Sequence, residues 1–135
     1  VCSSDLADLD LHVREPSGVD IWSRNINSYE PTVQAAPAAD AWQTGGVLDF
    51  DSNADCHPDG RSAEHVTYRD APPAGRYSVR VATASLCEES AAHWSVDVVL
   101  QGQQLAAASG TSLPTDTRDG DGAQAGVTAL SFVVP

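Results

Sequence analysis

The sequence predicts an all-β fold, an antiparallel β-sandwich of jelly-roll type, on three observations. Short stretches alternate apolar and polar residues at period two, clusters of Gly, Pro, Asp and Ser interrupt them, and a helical period is nearly absent. The 135 residues have the length of one domain spanning 1–135. A chain of this size buries about two-thirds of its unfolded surface, enough for a core without metal or many disulfides.

The elements follow in chain order. Read as a strand, Ala7-Asp8-Leu9-Asp10-Leu11-His12-Val13 sends Leu9, Leu11 and Val13 to one face and Asp8, Asp10 and His12 to the other. The first face is core and the second is acidic. Glu15-Pro16-Ser17-Gly18 is a turn, since Pro presets φ and Gly accepts positive φ, and Val19-Asp20-Ile21-Trp22-Ser23 is the return strand of a hairpin. Residues 25–44, with Pro31, Pro37 and the small residues at 35–39, read as an ordered loop with room for a short helical turn.

A second acidic strand at 47–51 alternates Leu48 and Phe50 with Asp49, Asp51 and Asn53, then enters a polar loop at 53–60. Glu64-His65-Val66-Thr67-Tyr68 is the next strand, and the Pro-rich turn at 70–75 launches another at 76–82. There Tyr77, Val79 and Val81 face inward, and Arg76, Ser78 and Arg80 share an exposed face. Residues 93–100 place Trp94, Val96 and Val98 in phase, and Gln101-Gly102-Gln103 is a tight hairpin connection into 104–106. Residues 111–126 are rich in Gly, Asp, Ser and Thr and read as a mobile loop. In the last strand, 127–134, Leu130, Phe132 and Val134 oppose Val127, Ala129, Ser131 and Val133.

Seven basic residues stand against 19 acidic ones, a formal net charge of −12. Phosphate binding needs clustered Lys and Arg, so nucleic acid is not expected as a partner. Cations, basic surfaces or neutral sugars suit such a surface better. With no apolar run long enough to span a bilayer, membrane insertion is not expected either. The chain opens at Val1 without an initiator Met or a hydrophobic leader and reads as a processed chain or an excised domain.

Cys2, Cys56 and Cys87 lack C-x-x-C zinc spacing. Either Cys56 pairs with Cys87, leaving Cys2 free or bonded elsewhere, or all three are thiols in a reducing compartment. The pair would close a loop worth about 3–4 kcal/mol in the chain-entropy model and would imply an oxidising compartment.

The main chemical signal is acidic. Two strands each offer carboxylates at i and i+2: Asp8 and Asp10 on one, Asp49 and Asp51 followed by Asn53 on the other. If they converge, each pair repels by about 3 kcal/mol at about 5 Å and an effective dielectric of about 20. A hard cation removes that cost. Ca²⁺ fits because it takes six to eight oxygen ligands, whereas zinc prefers His or Cys, and only His12 accompanies the cluster. The plain alternative is a solvated acidic sheet face.

In sequence order, Asp-Leu-Asp-Leu-His-Val at 8–13, Pro-Ser-Gly at 16–18, Gly-Gly-x-Leu-Asp-x-Asp at 45–51, the Glu-opened strand at 64–68 and Pro-x-Gly-x-Tyr-x-Val-x-Val at 73–81 form a recognisable series. Between about residues 5 and 100 the chain resembles the YfaP-like modules, domains of unknown function in bacterial secreted and surface proteins. More loosely it is similar to bacterial pre-peptidase C-terminal domains, β-sandwiches of secreted enzymes, some of which bind calcium. The resemblance implies a secreted or cell-envelope location, a Cys56–Cys87 bridge, and a shared acidic site of Asp8, Asp10, Asp49, Asp51 and Glu64. The family usually has Asn after that Glu, where this chain has His65. Glu64 is in phase with apolar Val66 and Tyr68, so it reaches an outward site only from the strand's end or a bulge.

Other features carry less. Asp116, Asp119 and Asp121 lack EF-hand spacing and read as turn chemistry. Trp22 and Trp94 fall in apolar phase, so Trp42 in the long loop is the aromatic placed to bind a ligand such as a glycan. No nucleophile elbow, P-loop, dinucleotide fingerprint or His-Glu-x-x-His occurs. The i and i+2 carboxylates of one strand point in parallel instead of flanking a substrate. The sequence therefore predicts a non-catalytic calcium-binding module whose ion orders loops for a glycan or protein ligand. The alternative is a metal-independent structural subunit of a bacterial surface assembly.

Overall fold

The structure is a computed structural model that describes residues 2–3, 6–30, 38–120 and 122–135. Among these it is all-β with antiparallel pairing and no α-helix. The strands are β1 (Cys2–Ser3), β2 (Asp8–Arg14), β3 (Asp20–Ile21), β4 (Gly46–Leu48), β5 (Val66–Tyr68), β6 (Gly75–Ser85), β7 (Ala92–Leu100), β8 (Gln103–Ser112) and β9 (Val127–Val134). One sheet runs β3-β2-β6-β9. Opposite it lie a three-stranded sheet, β1-β7-β8, and a separate two-stranded one, β4-β5.

One apolar core joins the three sheets. Leu9, Leu11 and Val13 of β2 and Tyr77, Val79 and Val81 of β6 meet Trp94 and Val96 of β7 and Leu48 of β4. The alternation read from the sequence places these residues inward on β2, β6 and β7, and Phe132 and Val134 on β9 pack with them. Gly110 of β8 lies flat against the Trp94 ring, where an added Cβ would fall 2.3 Å from a ring carbon. Only a residue without a side chain leaves room for the Trp94 ring across the paired strands there.

The long stretch between β3 and β4 is irregular as expected, with a 3-10 turn at Ala41–Gln43; Pro31, Pro37 and the small residues at 35–37 lie outside the described residues. Residues 111–126, expected to be a mobile loop, instead finish β8 and form a 3-10 helix, Pro114–Asp119, packed beside β6. Asp116 starts that helix by accepting the Leu113 N–H at 2.7 Å, and the Thr117 hydroxyl closes it on the Pro114 carbonyl at 2.7 Å. Local side-chain bonds of this kind stabilise a turn whose composition looks merely flexible. Asp121 and the side chain of Asp119 lie outside the described residues.

Two expectations about exposed faces are corrected. The face of β2 that carries Asp8, Asp10 and His12 is not open to solvent: these residues are 6%, 4% and 0% exposed. Arg80 does not share an open basic face with Arg76 but is drawn into an ion pair with Asp20, its side chain 11% exposed. Both follow from β3 and the 51–64 segment folding over what a single strand's alternation reads as the outer side.

Candidate metal centre

The centre is built where β3 stops. Among the described residues β3 pairs with β2 only at Val13 and Arg14, and no other strand pairs with the preceding part of that edge of β2. Backbone groups at a buried edge must be satisfied, and the 51–64 segment supplies their partners. Glu64 Oε2 accepts the Leu11 N–H at 2.8 Å, the Asn53 side-chain amide donates to the Ala7 carbonyl at 3.4 Å, and the Asp55 N–H donates to Asp8 Oδ2 at 2.9 Å.

This clasp brings carboxylates together. Asp8 and Asp10 of β2 and Asp51 each offer an oxygen, and the three oxygens lie within 4.8 Å of one another. The two Asp8 and Asp10 side chains are buried, and Asp51 is half-buried. At that spacing each pair of charges repels by about 3 kcal/mol at an effective dielectric of about 20. Three carboxylates supply hard oxygen donors of the kind that calcium or magnesium takes.

Glu64 stands beside this trio without belonging to it. Its second oxygen, Oε1, accepts the Ser52 N–H at 3.0 Å. Leu11 follows Asp10 and Ser52 follows Asp51, so one carboxyl group holds together the two backbone segments that present those aspartates. Burial pushes the Glu64 carboxyl up to about 8, helped by the neighbouring charges of Asp10 and Asp51 and opposed by its two backbone hydrogen bonds. The phase conflict noted in the sequence disappears because β5 begins only at Val66, which leaves Glu64 free of the strand's alternation.

Asp49 does not join the trio. β4 ends at Leu48, so the i, i+2 relation with Asp51 is not maintained. The chain then turns through left-handed conformations at Asn53, Asp55 and Cys56. Asp49 instead binds His65 twice, accepting its backbone N–H at 2.8 Å and lying 2.8 Å from its ring Nδ1. Burial raises its pKa, but the hydrogen bonds and charge of His65 outweigh this and hold the carboxyl below its usual range. Asn53 is buried at the clasp, where its N–H is held by Asp59 Oδ2 at 2.8 Å.

The disulfide secures the same region. Cys56 and Cys87 are bonded, with Cα atoms 5.4 Å apart, tying the turn that covers Asp8 to the chain just beyond β6. The resemblance pointed to this pair; the side chain of Cys2 lies outside the described residues.

His12 has a different role from that of a ligand. It is sealed between Asp20, 3.0 Å from its Nδ1, and the Trp22 ring, stacked on it at 5.1 Å. Asp20 Oδ2 also receives Arg80 at 2.6 Å and the Gln124 N–H at 3.2 Å. Burial raises the pKa of Asp20, but the bonds and charges of His12, Gln124 and Arg80 outweigh it and lower the carboxyl. Sequence reading missed this cluster because His12 and Arg80 become neighbours only through the β2–β6 register, which places them opposite each other. Trp42 lies in the Ala41–Gln43 turn, 41% exposed.

No family model, curated protein or solved structure matches this chain.

Proposed function

We propose that this chain is a non-catalytic, calcium-binding β-sandwich module of secreted or cell-envelope type. The observation that carries the reading is the convergence of the Asp8, Asp10 and Asp51 carboxylate oxygens within 4.8 Å, two of them on buried side chains. Such a site is strained without a counter-charge, and oxygen-only donors suit a hard cation. Zinc is less well served, because the three grouped donors are all carboxylate oxygens with no His or Cys among them. The ion would tie β2 to the 51–64 segment and order the loops around it for a glycan or protein ligand, with Trp42 as an exposed contact.

The Cys56–Cys87 bond is compatible with an oxidising compartment, and among the described residues no helix is long and apolar enough to cross a membrane. The resemblance to YfaP-like surface modules supports the same location. Asp8 and Asp10 project from one strand and Asp51 closes against them, an arrangement suited to enclosing an ion more than to flanking a substrate bond.

A thermal melt of EDTA-treated protein, titrated with calcium and with magnesium, tests the reading. A calcium-selective rise in midpoint that is lost in Asp8→Ala and Asp51→Ala supports it; a flat response to both ions overturns it. A second reading, a subunit of a surface assembly, is favoured by Val99, Leu105, Val127 and Val133, all more than 40% exposed on β7, β8 and β9. Sedimentation showing calcium-independent, concentration-dependent oligomers would favour that reading instead.

A further inference from the structure

Among the described residues six strands end the three sheets, and they differ in length and charge. β1, β3, β4 and β5 are two or three residues long, the short edges that resist unwanted pairing. β8 and β9 are ten and eight residues long, and among the described residues each pairs on one side only, with β7 and with β6. The two lie against each other across the layers, so both edges open on one side of the sandwich. No charged residue occurs at 98–115 or at 122–135, the stretches that contain β8 and β9, in a chain whose net charge is −12. Neither strand therefore has the Lys, the inward charge or the proline that keeps a long edge from pairing.

Each strand has one bulge, since Leu105 and Ala129 are skipped in the β7–β8 and β6–β9 registers, and residues 106–112 and 130–134 then run regularly. Ala108, Leu130 and Phe132 pack on the core yet remain half-buried, and Leu105, Val127 and Val133 are exposed. The charge distribution selects the partner. A basic protein is drawn to the acidic surface elsewhere, whereas two copies of this chain repel except where they meet on uncharged surface. Area decides how much of that surface has to meet. Strands rise about 3.4 Å per residue and each layer occupies about 10 Å, so the side of two layers about nine residues long measures about 30 by 20 Å. Burying it on both copies removes about 1,200 Å² from water, the lower bound for a stable, specific interface. One pair of strands alone gives about half of that, so both edges take part.

We propose that two copies of this chain dimerise through this side, β8 pairing antiparallel with β8 of the second copy and β9 packing beside β9. A twofold axis that crosses both layers makes each strand meet its own counterpart, so one surface is complementary to itself. Centred on 106–112, the pairing sets Ser109 opposite the partner's Ser109. It extends β1-β7-β8 into a sheet continuous across both copies, satisfies the β8 edge and covers the half-buried residues between the layers. This pairing supplies the contact that the assembly reading requires, and it rests on that reading and not on the metal centre.

The test is sedimentation in EDTA of the wild-type chain and of Ser109→Lys and Ser109→Asp, each alone and the two mixed. Ser109 is exposed, so either charge is compatible with a folded monomer, which a thermal melt at low concentration checks. Edge pairing predicts a wild-type dimer at concentrations up to about 1 mM. Each variant alone is monomeric because like charges sit opposite each other, and the mixture dimerises again where Lys meets Asp. Amide exchange at 106–112 slows about tenfold or more as the wild type dimerises, a readout that needs no variant. A wild type that stays monomeric, with exchange at 106–112 independent of concentration, overturns the proposal and the assembly reading together. A dimer that persists in both single variants overturns the proposal alone, by placing the contact on another face. Monomeric variants that mixing does not rescue overturn the twofold pairing of β8.

Discussion

Glu64 accepts the backbone N–H of Leu11 at 2.8 Å across 53 residues of sequence, and with its other oxygen it accepts the N–H of Ser52. One carboxyl group thus joins β2 to the segment that carries Asp51. With the Asn53 and Asp55 bonds to the start of β2, this join positions the acidic trio, since among the described residues no strand pairs with that edge of β2 or with the 51–64 segment.

Glu64→Ala should leave two buried N–H groups without acceptors, each costing about 1–3 kcal/mol. Urea unfolding of the metal-free protein should show that loss, and the calcium-dependent rise in midpoint should shrink with it. Unchanged stability would mean that the clasp does not hold the site together.

Asp10→Asn should act in opposite directions with and without calcium. In metal-free protein it removes like-charge repulsion of about 3 kcal/mol per pair at an effective dielectric of about 20, so stability rises. With calcium in excess the variant should gain little and fall below the wild type. Melts with and without EDTA on both proteins distinguish this crossover from a simple loss of packing.

Acid stability should depend on Asp20. Its carboxyl is lowered in the folded protein by His12, Gln124 and Arg80, which outweigh the effect of burial. A lowered carboxyl contributes stability that is present above its unfolded value of 3.8 and is lost as pH falls through the lower folded value. Unfolding free energy should therefore drop below about pH 4. Asp20→Asn should flatten that part of the profile while costing about 3 kcal/mol at neutral pH, since it leaves the half-buried Arg80 without its counter-charge.

Replacing Cys56 and Cys87 together by Ser should lower stability by about 3–4 kcal/mol in the chain-entropy model. Because the bond anchors the turn whose Asp55 N–H holds Asp8, calcium affinity measured by calorimetry should fall as well. Unaltered affinity would separate the disulfide from the site.

Gly110→Ala should destabilise the fold by about 1–3 kcal/mol, because the new methyl group meets the Trp94 ring and neither strand can retreat without opening the core. Denaturant midpoints of the single variant test this directly.

The inward faces of β2, β6 and β7 were legible in the sequence alone. Period-two alternation is a local property, so Leu9, Leu11 and Val13, or Tyr77, Val79 and Val81, could be assigned to the core without knowing any partner strand. Two of the three trio members, Asp8 and Asp10, were legible for the same reason, because they share one strand and one face. The Cys56–Cys87 pair was one of two readings of the three cysteines, and the resemblance favoured it.

Tertiary structure alone decided the rest. Asp49 and Asp51 have the same local pattern, yet β4 ends at Leu48 and the chain turns, sending one to His65 and the other to the trio. Glu64 looked like a ligand but became the brace between the backbones beside Asp10 and Asp51, because its oxygens meet N–H groups that only folding brings near. His12 and Arg80 looked outward-facing until the β2–β6 register set them opposite each other, beside Asp20. Alternation states which side of a strand a residue occupies; what covers that side depends on contacts between segments far apart in the chain.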